Sequence, residues 1–363
     1  MRTDTYLFRP PGYPVFLAAA TLGHPERVAV ARVANAAVGA LGAVLLAALS
    51  ARLFRRRGLA IATGVLAAVQ PTLVRIASQI QSEPLFVALL LSAGYLLLAA
   101  TDRPSSNLAV LAGVFLALAA LTRSSALALS PLLLAPLFDR RHPRRANAHI
   151  AFSALLGFGA ALAPWTLRNA LVFRELIVVN DGAGYVFYGR NSDAAMGLDR
   201  ARDRAELDRA VAALEAARLA RITALPEAVR DSPGRLSRAL ARAALDERRA
   251  DMAGTARLLS WKIWDWLRPY PDPRFWPRRV VLAAGAWFSA LFVLAAVGFV
   301  RADRAGASAF CLAFLAITML LHVVLETNWR YRTANWDPVV LLYAAFGAAT
   351  LVAPRGVAER PPA

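Results

Sequence analysis

The sequence predicts an all-α, polytopic transmembrane bundle of about eight to nine membrane helices, including one short hairpin, that carries a helical extracytoplasmic insert. Three observations lead there. Hydrophobic residues make up 58% of the 363 positions, against ~45–50% in ordinary soluble domains. They fall in long runs broken by short polar segments, and arginine gathers in those breaks.

Taken in order, the runs lie at 28–54, 58–74, 83–100, 108–121, 124–138, 150–165, 280–300, 307–325 and 338–353. Most approach the ~20 residues an α-helix needs to cross ~30 Å of hydrocarbon. The runs 108–121 and 124–138 each reach only ~21–23 Å at 1.5 Å per residue. They read as a short hairpin whose tip, Thr122-Arg123-Ser124, stays below the membrane surface, where irregular backbone requires a wet or protein-lined setting. Before them, Arg9-Pro10-Pro11-Gly12-Tyr13-Pro14 reads as a rigid segment in which prolines fix φ and Gly12 allows a tight turn. It leads into a short apolar stretch at the interface. Between 197 and 267, apolar residues recur at helical spacing among mixed charges, as expected for surface helices. Trp261, Trp264, Trp266 and Trp276 read as an interfacial belt where the chain re-enters lipid. Three parts follow: a bundle at 1–167, an extracytoplasmic helical region at 168–277, and returning membrane helices at 278–363.

The formal charge of +18 comes from 42 basic and 24 acidic residues, and Lys262 is the one basic residue that is not Arg. These charges are divided between short loops and the insert, which favours membrane topology and anionic lipid over nucleic acid as partner. Arg52 with Arg55–Arg57, the run 139–145, and Arg301 with Arg304 all fall on one side when the helices are threaded alternately. By the positive-inside rule that side is cytoplasmic. Segments 9–14, 75–84, 168–277 and 326–338 then share the outer face with Arg123, so a functional site is expected there. The single Cys311 lies in an apolar run and is read as core packing.

The motifs Arg-Pro-Pro-Gly-Tyr-Pro (9–14), Ser-Glu-Pro (82–84), Thr-Arg (122–123), Pro-Trp-x-x-Arg-Asn (164–169), Tyr-Gly-Arg-Asn (188–191), Trp-Leu-Arg-Pro (266–269), Arg-Tyr-Arg (330–332) and Asp-Pro (337–338) follow in this order. Together they make the chain resemble polytopic glycosyltransferases of the GT-C fold. In particular it resembles the bacterial branch related to dolichyl-phosphate-mannose protein mannosyltransferases and to the lipid A aminoarabinose transferases. The resemblance implies an inverting enzyme of the plasma (inner) membrane, with its active site on the extracytoplasmic face. It implies transfer of a sugar from a polyprenyl-phosphate donor to a glycan, lipid or protein acceptor. It allows a divalent metal but brings no ligand cluster with it, because the four histidines (24, 142, 149 and 322) are scattered.

A lipid-phosphate leaving group calls for arginines, whose planar fork binds phosphate oxygens in pairs and stays charged. Arg9, Arg123, Arg168, Arg330 and Arg332 are the candidates, with Tyr13, Asn169, Asn191, Tyr331 and Asp337 as further substrate contacts. Arg330 and Arg332, two apart in an extended segment, would point the same way. The acceptor proton needs a carboxylate. The family's acid lies in a first outer loop that precedes the Pro-Pro-Gly-Tyr-Pro motif by a few tens of residues, so the resemblance implies an apolar helix and an acid upstream of Met1. Within the chain Asp4 and Glu83 are the catalytic candidates; Asp337 is an alternative acid, and Glu83 has a helix-capping alternative. A transporter, with intramembrane arginines marking a path, and an inactive scaffold of the same fold are the competing readings.

Overall fold

A computed structural model describes residues 9–302 and 305–352. Asp4, Arg304 and the last residue of the final apolar run lie outside the described residues.

The first part comprises α1 (Gly12–Thr21), α2 (Val28–Phe54), α3 (Arg57–Val69), α4 (Pro71–Ala77), α5 (Glu83–Asp102), α6 (Ser106–Thr122), a 3₁₀ segment at Ser124–Phe138, and α7 (Arg144–Phe173). The insert holds α8 (Ala183–Asn191), α9 (Met196–Arg200), α10 (Arg204–Thr223), α11 (Glu227–Arg230), α12 (Pro233–Ala250) and α13 (Met252–Leu267). Then come α14 (Arg278–Arg301), α15 (Ala305–Val324), α16 (Trp329–Asn335) and α17 (Asp337–Val352). Among the described residues four helices are long and apolar enough to span a membrane, or six if each of two bent pairs counts as one. With the shorter apolar α6, α15 and 3₁₀ segment, this is the all-α polytopic membrane fold expected.

Prolines set the irregularities. Pro131 and Pro136 lie within the hairpin's second arm and cannot supply the N–H groups that an α-helical ladder needs. That arm winds as a 3₁₀ helix over 15 residues, far longer than the usual three or four. Pro71 opens α4 after a break at Gln70, bending α3 against α4 by 60°. Pro338 follows Asp337 at the start of α17, and α16 meets α17 at 59°. Several insert helices start on polar caps. Asp203 accepts from the Glu206 N–H at 2.8 Å and Asp251 from that of Gly254 at 2.7 Å, satisfying donors that a helix start leaves open.

The bundle packs through small residues, because lipid tails are as apolar as leucine and offer helices no hydrophobic reward for leaving them. Along α6 and α7, a Cβ added at Gly113 would stand 1.9 Å from the Ala154 carbonyl oxygen, and one at Gly157 would stand 2.2 Å from that of Val110. Along α14 and α17, Gly298 and Gly347 approach the Tyr343 and Leu294 carbonyls in the same way. Gly12 also serves close approach and not the tight turn expected: it begins α1, and a Cβ there would meet Leu121 O at 2.8 Å. Large apolar side chains such as Val44, Phe152, Leu156 and Val293 face outward. The insert has a separate apolar cluster that includes Leu198, Leu214, Ile222, Leu236 and Leu240. Cys311 is buried in the bundle core, as expected.

The seam makes a direct prediction. Gly157→Val should destabilise the folded chain by roughly 1–3 kcal/mol or more through overpacking, whereas Gly159→Ala, two residues away where nothing among the described residues lies within 4 Å of an added Cβ, should leave stability unchanged or slightly raised. Thermal unfolding of both variants in detergent, compared with the parent chain, checks this.

Candidate active site

The two bent helices meet at their breaks. Thr72 Oγ1 donates to Asp337 Oδ2 at 3.0 Å, and Trp287 Nε1 donates to Gln70 Oε1 at 2.6 Å beside them. Asp337, 1% exposed, faces the Arg332 guanidinium at 3.8 Å. Arg332 is 0% exposed; it donates to the carbonyl of Arg268 and sits among the rings of Phe288, Phe292 and Trp329 at 4.9–5.4 Å. The extended segment expected at 330–332 is instead a helix, Trp329–Asn335. Residues two apart on a helix point ~200° apart, so Arg330 and Arg332 face different surroundings.

Arg330 turns to Glu83. This carboxylate is 0% exposed and is held by Arg330 Nε at 2.5 Å and by Arg123 Nη1 at 2.9 Å. Ser82, and not Glu83, stands at the cap position of α5, so Glu83 serves as the anchor of two arginines. Arg123 donates also to Ser82 Oγ at 3.2 Å and lies over the Tyr331 ring at 4.6 Å. Tyr331 OH donates to Glu326 Oε2 at 3.4 Å. His322 stacks between Trp266 and Tyr331, with its Nδ1 donating to the Glu326 carbonyl at 3.2 Å. Tyr13 OH donates to Asn35 Oδ1 at 3.2 Å, and Asn35 in turn donates to the Gln79 carbonyl at 2.6 Å. Motifs 12–13, 82–83, 122–123 and 326–331 are thus brought together as their common face led us to expect.

Above this cluster a cavity of about 890 Å³ opens between the bundle and the insert. Six arginines line it: Arg75, Arg190, Arg218, Arg268, Arg274 and Arg330. Acids balance most of them, with Arg190 on Glu326 at 2.5 Å, Arg268 on Asp265 at 2.7 Å, Arg274 on Asp272 at 2.6 Å, and Arg218 on Glu215. Arg75 has no carboxylate partner among the described residues and stacks on Trp276 at 4.7 Å. Burial raises the Asp265 carboxyl above the usual carboxylate range, and Arg268 works against that rise. Among the described residues no group of three or more His, Cys, Asp and Glu gathers as a metal site.

Other expected contacts lie elsewhere. Asn169 is buried and donates to the Ile177 carbonyl at 2.9 Å, tying the chain after α7 back onto it. Arg168 rests over Trp165 and Phe173, and Arg9 is exposed just before α1; neither lines the cavity. Asn191 fastens the insert to the bundle: its Nδ2 donates to the Val324 carbonyl at 3.1 Å, and its Oδ1 accepts from Lys262 Nζ at 2.9 Å. Trp266 is no belt residue, being 1% exposed and packed on His322 and Trp336, while Trp264 is exposed. Sequence reasoning missed Arg75, Arg190, Arg268 and Arg274 as a set. For Arg75 the available signal was an arginine four residues beyond a helix-breaking proline.

Fold and site together define a multi-pass membrane protein whose helical cap covers an arginine-lined cavity. Residues 9–167 match the family described as dolichyl-phosphate-mannose-protein mannosyltransferase. The archaeal oligosaccharyltransferase AglB from Archaeoglobus fulgidus, in complex with an inhibitory peptide and a dolichol-phosphate, superposes with a TM-score of 0.57 at 14% identity over 96% of this chain. The apo oligosaccharyltransferase of the same organism gives 0.56 at 16% identity, also over 96%. This chain covers 44% of each of those proteins, less than half their length. Among curated proteins none matches the sequence. The fold is that of the GT-C glycosyltransferases, as the ordered motifs led us to expect.

The latch at Asn191 should be sensitive to pH. Burial pushes Lys262 down to about 8, with Asp199 opposing, Arg190 adding to the fall, Glu326 opposing and Arg248 adding. Burial likewise raises Asp199 to about 6, so both groups are charged near neutrality. Since the folded state gives up the Lys262 proton earlier than the unfolded chain, this group's penalty is full below about 8 and is relieved as pH climbs toward the ordinary lysine value. Stability should therefore rise between those limits through this residue. In Lys262→Met that rise should disappear, as read from unfolding midpoints across the range.

Proposed function

We propose that the chain is a membrane glycosyltransferase that transfers a sugar from a polyprenyl-phosphate donor within the arginine-lined cavity. The observation that carries this reading is a cationic chamber of about 890 Å³ at the junction between lipid-embedded helices and a polar cap. A donor whose phosphate sits at headgroup level while its tail stays in lipid needs such a junction. Arg75, free of any carboxylate among the described residues, and Arg330, half-exposed at the cavity wall, are the groups we assign to the phosphate. Arg123 sits one carboxylate away and sets Arg330 through Glu83. The match to a mannosyltransferase family over residues 9–167 and the shared fold with a protein solved with dolichol-phosphate support it.

In the step itself, the acceptor oxygen bonds to the anomeric carbon while the bond from that carbon to the phosphate oxygen breaks. The electron pair departs on the phosphate, where guanidinium groups stabilise it, and attack opposite the leaving group inverts the centre. The hydroxyl proton passes to a carboxylate.

We place the cavity on the extracytoplasmic side of the plasma membrane. Asp102 at the far end of α5 binds Arg52 at 3.1 Å and Arg141 at 2.8 Å, so two basic clusters gather there. Glu83 lies at the opposite end, ~30 Å away at 1.5 Å per residue, which is about the hydrocarbon thickness. Single cysteines at 142 and 200 should behave oppositely toward a membrane-impermeant reagent in intact cells, with labelling at 200 only. Labelling at 142 alone reverses the assignment.

For the chemistry, sugar transfer from a polyprenyl-phosphate-linked sugar is measured per folded molecule. Arg75→Ala and Arg330→Ala should each lower turnover by about 10²–10³ if they hold leaving-group charge, and Arg330→Lys should keep part of what Arg330→Ala loses. Arg332→Met should instead reduce the amount of folded protein, because it leaves Asp337 buried without its cation. Near-normal turnover of the Arg75→Ala, Arg330→Ala double variant sinks the phosphate assignment.

A further inference from the structure

A second cavity of about 600 Å³ lies within the insert, between α8, α10 and α12. Its chemistry differs from that of the first. Leu219, Ile222, Leu236 and Leu240 supply its apolar wall, and among the described residues no arginine other than Arg218 reaches it. Tyr185, Glu215 and Arg218 line both cavities. The Arg218 guanidinium lies over the Tyr185 ring at 3.7 Å and is held there by Glu215, so a stacked pair is the partition between a cationic chamber and an apolar one.

The apolar chamber has few polar groups of its own. Ser237 Oγ already accepts from the Gly184 N–H at 3.0 Å. Asp181 Oδ1, by contrast, is buried without a hydrogen-bond partner among the described residues. Such an oxygen is an acceptor short of a donor, at a cost of ~1–3 kcal/mol for a buried polar group. A ligand with one hydroxyl and an apolar body fits both facts. A bare glycan does not, since each hydroxyl left unpaired against leucine side chains costs ~1–3 kcal/mol. The volume is within the ~300–1,000 Å³ usual for small-molecule sites. Glycosyl transfer brings two substrates together, with reacting atoms ~3–3.5 Å apart, and adjoining chambers of opposite character suit a charged donor and an uncharged acceptor.

We propose that this second cavity is the acceptor subsite and takes an uncharged amphiphile, an apolar chain or ring bearing a hydroxyl, whose O–H donates to Asp181. The word acceptor rests on the glycosyltransferase reading of the larger cavity; binding of the amphiphile does not. The test uses the full chain in lipid nanodiscs and two photoreactive alcohols, a diazirine-bearing dodecanol and a trifluoromethyl-diazirinyl benzyl alcohol, with crosslinks mapped by mass spectrometry. Adducts on the facing sides of α10 and α12 are expected from one or both, the dodecanol marking a lipid acceptor and the benzyl alcohol an aromatic one. Leu219 is 56% exposed at the rim, so Leu219→Trp can narrow the chamber without disturbing the core and should cut labelling at least about tenfold, a loss of ~1.4 kcal/mol. Asp181→Leu should weaken labelling by the alcohols but not by a dodecane diazirine. Binding of polyprenyl phosphate, measured on the same samples, should be unchanged in both variants, which also shows that they are folded. Adducts confined to the membrane helices, or labelling indifferent to Leu219→Trp, overturn the proposal. Correct labelling with no polyprenyl-phosphate binding by the parent chain leaves the amphiphile site standing and removes the donor reading instead.

Discussion

A carboxylate with no exposed surface cannot stay in an apolar bundle unless cations come to it, and Glu83 draws two from distant parts of the chain. Arg123 arrives on the tip of the α6 hairpin and Arg330 on α16. Because both meet the same oxygen, α5, the hairpin and the last bent helix are fixed relative to one another by a single residue. Losing one partner from a buried pair typically costs ~3–5 kcal/mol, since the other charge remains in a medium that cannot solvate it. The arrangement thus converts an electrostatic demand into geometry. It also leaves Arg330 half-exposed at the cavity wall with its orientation already set, so little rotamer freedom remains to be lost when an anion arrives.

The same logic recurs at the breaks in the two bent helices. Pro71 and Pro338 each remove a backbone donor, and unsatisfied backbone at membrane depth is tolerable only where protein or water covers it. Here the breaks cover each other. Gln70, Thr72, Asp337 and Trp287 form a hydrogen-bonded knot, with Arg332 closing it from behind. One arginine of the Arg-Tyr-Arg motif therefore serves the knot and the other serves the cavity. Their separation follows from the helical twist of the short segment that carries both.

Much of the architecture was legible because membrane helices are written in the plainest of codes. The apolar runs at 28–54 and 83–100 correspond closely to α2 and α5, and the helical pattern of 197–267 is found as α9 through α13. The site was legible to the extent that shared sidedness brings motifs together, as Glu83, Arg123 and Arg330 show. What periodicity could not supply was direction. Residues 326–338 hold too few apolar positions to reveal a helix, so Arg332 was aimed with Arg330. Trp266 reads like its neighbours until α13 is seen to turn it onto His322. The grouping of the cavity arginines was missed for a different reason. Arg75, Arg190, Arg268 and Arg274 come from four separate segments, and although Arg190 and Arg268 lie in marked motifs and Arg75 follows Pro71, no local pattern shows that the four face one another.

The cap is joined to the bundle by polar contacts as well as by the packing of Trp266 on His322 and Trp336. Its attachments to residues 324–326 are the Arg190–Glu326 pair and the Asn191 and Lys262 hydrogen bonds to the end of α15. Exposed or half-exposed ion pairs contribute little, ~0–1 kcal/mol, and weaken with salt. On the proposed reading, an anion in the cavity would compete with Glu326 for Arg190, so a phosphate bound there would loosen one attachment while making new contacts with Arg75 and Arg330. The insert's own apolar cluster, around Leu236 and Leu240, is separate from that of the bundle and is untouched by this exchange. Part of the cap's attachment therefore consists of charged contacts that a charged substrate could replace, while the packing of Trp266 and the Arg332 bond to the Arg268 carbonyl stay in place.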